Sequence, residues 1–283
     1  GTDATPLAVE NLGAFDVLLG RLSVHDASVL PSQAFGVSPG AELWVYGDDA
    51  AIGGTYSSTG GFVRWQNASA ASAAGSFVAT GPEPVVFDFA PGTFALYSPS
   101  DPVVSAGGFV NAGELSWLAG TMSGDVANDG TLLVTTSSSH TLNGSLANRA
   151  SGLVGHSGPL AVTVGHSVTN EGALDFAGNY GITRSGTGTV SLLNASMGTI
   201  VKSAGTGDSL IGTQAYPINV ENQGTIEVRS GTISIGGGLT TSATGTIETH
   251  ISGTAAGGSF GKVKSYGAAS RDGPIAGAVA AGV

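Results

Sequence analysis

Large apolar residues stand two apart in short runs along the chain: Leu115-Ser116-Trp117, Leu132-Leu133-Val134, Leu174-Asp175-Phe176 and Ile226-Glu227-Val228. Residues two apart in an extended chain share a face, so each run predicts a short strand with one apolar side. An Asn-x-Gly step precedes the runs and recurs with them. The copies are Val110-Asn111-Ala112-Gly113-Glu114-Leu115, Ala127-Asn128-Asp129-Gly130-Thr131-Leu132, Thr169-Asn170-Glu171-Gly172-Ala173-Leu174 and Glu221-Asn222-Gln223-Gly224-Thr225-Ile226. Two looser copies run from Asn148 through Gly152 to Leu153 and from Asn194 through Gly198 to Ile200.

The marker residues Asn111, Asn128, Asn148, Asn170, Asn194 and Asn222 are separated by 17, 20, 22, 24 and 28 residues. A helical repeat of fixed length does not stretch in this way, whereas loops on stacked β-coils do. Periods in the twenties predict a solenoid. Asn and Gly both tolerate positive φ, which suits the step to a bend between strands. The predicted fold is all-β, a right-handed parallel β-helix (β-solenoid), with the six Asn side chains stacked as a structural turn ladder. Stacking the strands in sequence puts Ser116, Leu133, Val154, Asp175, Val201, Glu227 and Glu248 at one outward position. Leu118, Thr135, His156, Ala177, Ser203, Arg229 and His250 take the next outward position.

Residues 106–283 read as regular solenoid repeats with closing strands. Residues 1–105 are less regular and read as irregular coils or a β-rich cap. Leu22, Leu43 and Val63 lie about twenty residues apart, which favours early coils with long loops. A cap would serve equally to cover the strand edges and core at the end of a stack.

Composition supports many short strands and tight turns. Among 283 residues there are 47 Gly and no Cys, and only 10% are charged, while 41% are apolar. Few apolar residues and high charge mark disorder, and this chain has neither. The net charge of −11 and the scarcity of Lys and Arg argue against nucleic-acid binding. No apolar run reaches the roughly 18 residues of a spanning segment, so membrane insertion is not expected. The absence of Cys removes disulfides and thiol chemistry and fits an exported bacterial protein.

Candidate chemistry is sparse. Asp48-Asp49, followed by Gly53-Gly54, offers carboxylate and backbone oxygens for calcium, although the spacing matches no calcium loop. Coils in a parallel stack lie about 4.8 Å apart, so Arg229 is expected to reach both Glu227 and, one coil on, Glu248. Two carboxylates flanking a bond are the requirement of a glycoside hydrolase, and Asp175, Glu227 and Glu248 are the candidates for that role. A solvated ion-pair patch is the competing reading. Gly155-His156-Ser157 and Gly165-His166-Ser167 read as loop residues, because adjacent strand residues point to opposite faces and neither His can activate its neighbouring Ser.

The last coils carry a second pattern: Gly245-Thr246-Ile247-Glu248-Thr249-His250-Ile251-Ser252-Gly253, then Gly258 to Ala269, then Gly273-Pro274-Ile275-Ala276-Gly277-Ala278-Val279. With the Asn-x-Gly-Thr-Leu/Ile unit at 128–132 and 222–226, this resembles the closing region of bacterial secreted and surface β-solenoid adhesins with autotransporter-passenger-like repeats. The resemblance covers about residues 107–279 and specifies an architecture rather than a ligand. It implies a non-catalytic structural or adhesive module of a secreted or cell-surface protein. Its long face would engage glycans, a cell surface or sister subunits, with no required cofactor. The alternatives are a polysaccharide-active β-helix hydrolase or lyase and a phage tail-spike-like protein.

Overall fold

The computed structural model describes residues 15–25, 34–46, 50–58, 60–66, 77–79, 82–89, 93–252 and 259–279. Asp48 and Asp49 lie outside the described residues. All regular structure among the described residues is β, and nearly all strand pairing is parallel. The fold is a parallel β-helix. Contacts divide the chain into two compact units, Gly1–Leu132 and Leu133–Val283.

In the first unit, one column of parallel strands comprises Phe15–Val17, Ala34–Val37, Thr55–Ser58, Val85–Asp88, Phe109–Asn111 and Val126–Asn128. A second comprises Arg21–His25, Glu42–Tyr46, Phe62–Gln66, Thr93–Ser105 and Glu114–Ser123. Leu43, Val63, Phe94 and Leu115 are in register and fully buried. The core is aromatic. Trp65 packs edge-on against Tyr56 and Phe94, with centroids 4.8 and 4.9 Å away. Phe87 stacks on Phe94 at 4.6 Å and on Phe109 at 6.2 Å.

The second unit has three strands per coil. The Asn-bearing column comprises Leu146–Asn148, Ser167–Asn170, Val190–Asn194, Ile218–Asn222, Leu239–Thr241 and Ala269–Arg271. The next comprises Leu153–His156, Ala173–Phe176, Thr199–Lys202, Thr225–Val228, Thr246–Ser252 and Ile275–Val279. The third runs from His140–Asn143 through Leu160–Thr163, Ile182–Ser185, Asp208–Ile211 and Thr232–Ile235 to Lys262–Ser265. A short antiparallel pairing of Ile251 with Phe260 departs from the pattern.

Two expectations need correction. The looser copy after Asn148 holds one more turn residue than the apolar pattern suggested. Val154 pairs with Leu174 and is buried, whereas Leu153 pairs with Ala173 and is partly exposed. His156 consequently pairs with Phe176 and lies in the core, on a strand rather than in a loop. The repeat glycines also serve a different purpose from the one expected. Positive φ is found at other glycines and, among non-glycine residues described, at Thr136 alone. Gly172 and Gly224 are required because the coils touch there: a Cβ would lie 2.2 Å from Gly152 O and Gly198 O respectively.

Candidate functional site

The six marker Asn side chains are buried and bonded to one another within each unit. In the second unit, Nδ2 of Asn148, Asn170 and Asn194 donates to Oδ1 of Asn170, Asn194 and Asn222 at 2.7, 2.7 and 2.8 Å. Each amide also donates to a backbone carbonyl of the next coil: Ala173, Thr199 and Thr225. In the first unit, Asn111 donates to Asn128 at 2.7 Å. The amides donate into the stack, and Oδ1 of Asn128, Asn170, Asn194 and Asn222 accepts from it, so the ladder is structural; Asn111 Oδ1 is buried with no partner. In the next coil, buried Thr241 pairs with Asn222 in register, and its hydroxyl has no hydrogen-bond partner.

The outward carboxylates of the second unit converge as a patch. Glu227 and Glu248 are in register on adjacent coils. Arg229 donates to both Glu227 oxygens, at 2.7 and 2.9 Å. The expected bridge from Arg229 to Glu248 is replaced by His250. Its Nε2 lies 2.7 Å from Glu227 Oε1 and 3.5 Å from Glu248 Oε1. The cause is register: Arg229 and His250 occupy successive coils, so the imidazole stands beside Glu248 and reaches back. The Arg229 hydrogen bonds hold the Glu227 carboxyl below the usual carboxylate range, and partial burial opposes them. Asp175 stands two coil steps from Glu227, past Val201, and its Oδ1 accepts the Ser203 amide at 3.3 Å.

Glu227, Glu248 and His250 offer ligand atoms within 4.8 Å of one another, an arrangement able to hold a metal ion. Two carboxylates and an imidazole suit a borderline divalent ion better than calcium. Arg229 competes for both oxygens of Glu227. Glu227 itself is shifted towards ionisation, the opposite of the raised general acid of a glycosidase.

A groove of about 670 Å³ lies over the Asn-bearing column. Its lining includes Ser167, Thr169, Ser191, Leu193, Asn219, Glu221 and Thr240, side chains that alternate with the buried ones on successive coils. Hydroxyl and amide groups therefore recur at the coil spacing, about 4.8 Å.

Two further residues carry chemistry that pattern reading missed. Lys202 is fully buried, in register with Val228 at an inward position. Its Nζ donates to Gly178 O at 2.6 Å, Ala204 O at 3.0 Å and Ser209 Oγ at 3.0 Å. Burial holds the ammonium below the usual lysine range, opposed by Asp208 and Asp175. All three protons are used internally, so this lysine pins the coil rather than facing a ligand. In the first unit, outward Trp44 lies between two guanidinium groups, Arg21 Cζ at 4.0 Å and Arg64 Cζ at 4.6 Å from the ring centroid. The signal for this second cluster was the alternation of Glu42-Leu43-Trp44-Val45-Tyr46, which puts a tryptophan on the solvent side.

No family model, curated protein or solved structure matches this chain.

Proposed function

We propose that this protein is a non-catalytic structural and adhesive module of a secreted or cell-surface bacterial protein, and that its solenoid face binds saccharide. The groove over the Asn-bearing column carries the reading. Ser167, Ser191 and Asn219 stand in one row on successive coils, beside a second row of Thr169, Leu193, Glu221 and Thr240. Rows of hydroxyl and amide groups complement a hydroxyl-rich chain, and a preformed site loses little entropy on binding. The locked Glu227 carboxylate supports a binding role over hydrolysis.

The test is a screen of neutral oligosaccharides for binding, with release of reducing ends measured in parallel. The expected result is binding without cleavage, weakened about tenfold in a Thr169→Val/Thr240→Val variant that keeps β-branched shape. Absence of any neutral ligand sinks the reading. Cleavage abolished by Glu248→Gln would establish the hydrolase instead.

A further inference from the structure

In the first unit, the outward face of the second column carries an arginine that is clamped but unused. Trp44 and Arg64 are in register on adjacent coils, and Tyr97 stands on the following coil opposite Gln66. The Arg64 Cζ lies 4.6 Å from the Trp44 centroid and 5.0 Å from the Tyr97 centroid. One ring comes from the coil before and one from the coil after, so the guanidinium is held between two aromatic rings. Rings attract the cation but do not satisfy the N–H groups that point along the guanidinium edge. Arg64 Nε is buried without a hydrogen-bond partner, and no acceptor among the described residues takes a bond from this guanidinium.

The neighbouring carboxylates bond other partners and not Arg64. Glu42 Oε2 accepts Arg21 Nε at 2.7 Å and Trp44 Nε1 at 2.9 Å. Glu114 Oε1 accepts the Thr93 hydroxyl at 2.9 Å. A cavity of about 450 Å³ adjoins the arginine, lined by Glu42, Trp44, Phe62, Arg64 and Thr93, among others. That size lies within the range of small-molecule sites. Burial pulls Arg64 below the usual arginine range; Tyr46, Tyr97 and Glu42 oppose this and Arg21 adds to it. The group stays charged at any physiological pH.

We infer that Arg64 is a preorganised oxyanion fork that reads the carboxylate of an acidic saccharide. A planar guanidinium matches a carboxylate with two parallel hydrogen bonds, and fixing its plane in advance removes the ordering cost of a free arginine. Arg64 lines this cavity, and Arg21 packs on the Trp44 ring that also lines it, in a chain that has nine Lys and Arg and a net charge of −11. The site is thus a local cationic spot on an acidic protein. It suits a short uronate-bearing oligosaccharide and disfavours a long polyanion, which the rest of the surface repels. The inference rests on the saccharide-binding reading above but uses a different unit and different residues.

The experiment titrates wild-type protein, Arg64→Lys and Thr169→Val/Thr240→Val with trigalacturonate, its methyl ester, a neutral trisaccharide and a sulfated trisaccharide. Trp fluorescence and calorimetry report binding, and circular dichroism checks that each variant is folded. Trigalacturonate is expected to bind wild type and the double valine variant alike, to lose at least about tenfold on Arg64→Lys, and to lose similarly on methylation. Binding should weaken as salt rises. Equal binding of acid and ester, unchanged binding to Arg64→Lys, or no binding of the acid overturns the inference. A sulfated ligand bound in preference to the uronate also overturns it. Neutral binding without acid binding leaves the groove standing and the fork refuted. Acid binding lost on Arg64→Lys, with no neutral ligand, does the reverse.

Discussion

The two units build the same kind of coil with different interiors. The first is filled by rings: Phe35, Tyr56, Trp65, Phe87, Phe89, Phe94 and Phe109 are all buried and in mutual contact. Among its described residues, the second is filled mainly by Val, Leu and Ile, with Phe176 as its one buried phenyl ring, and holds a four-membered Asn ladder at its corner. Aromatic side chains bridge unequal gaps, so coils of irregular length still pack. A ladder demands identical backbone geometry in every coil and rewards it with continuous hydrogen bonds. Sequence regularity therefore tracks the means of stabilisation rather than the presence of the fold.

This contrast predicts unequal penalties for core truncation. Trp65 is fully buried and touches rings from Tyr56, Phe87 and Phe94, so its truncation leaves a large cavity. Trp65→Ala should cost about 3–5 kcal/mol in chemical denaturation. Hydrogen-exchange protection should fall first in the strands Thr55–Ser58 and Phe62–Gln66. A loss below 1 kcal/mol would mean that the ring cluster does not hold the first unit.

Asn170 is interior to the ladder, with bonds to Asn148, Asn194 and Thr199. Asn170→Ala strips both neighbours of a partner in a buried site, so about 1–3 kcal/mol should be lost. Asn222 makes one bond to the ladder and one to Thr246 O, and Asn222→Ala should cost less. Equal losses at both positions would show that the amides act one by one and not as a chain.

Much of this was legible. The Asn-x-Gly steps, the inward Leu174 and Ile226, and the early coils marked by Leu22, Leu43 and Val63 follow from alternation and spacing. The same spacing of Leu43 and Val63 would have set Trp44 beside Arg64, because a shared register fixes outward neighbours too. Lys202 was not legible, since apolar patterning has no place for an inward cation whose partners are carbonyls of the turn in the coil before and of the turn that follows it. His156 was misplaced because the turn after Asn148 hides one extra residue, and a one-residue slip exchanges the faces of a strand.

His156 is where the second unit departs from its own rule. It is buried against Phe176, with centroids 5.3 Å apart, and neither ring nitrogen has a hydrogen-bond partner. Burial, with His140 adding to it, pushes its pKa down from 6.5 to about 3. The unfolded chain binds a proton below pH 6.5 while the folded chain does not until about pH 3. This residue's contribution is therefore complete above pH 6.5 and is lost as pH falls towards 3, by up to about 1.4 kcal/mol per pH unit. His156→Leu should raise stability by about 1 kcal/mol at pH 7 and flatten the acid limb of the profile. A profile unchanged by the substitution would show that the imidazole takes its proton in the folded state.

The smallest effect belongs to the outward patch. The Arg229 side chain is 52% exposed, and an ion pair so wet is worth less than about 1 kcal/mol even with two bonds to Glu227. Arg229→Ala should leave the denaturation midpoint at pH 7 nearly unmoved, while the Glu227 carboxyl, followed by NMR, titrates higher than in wild type. The folded-state pKa of Glu227 is depressed, so its share of stability is present above the ordinary carboxylate range and fades as pH falls through the depressed value. The small difference between variant and wild type is therefore full at neutral pH and closes as pH falls through the depressed value. A large loss at pH 7 would place the patch among the elements that hold the coils together. The division of labour between a stabilising interior and a quiet outer face would then fail in the second unit.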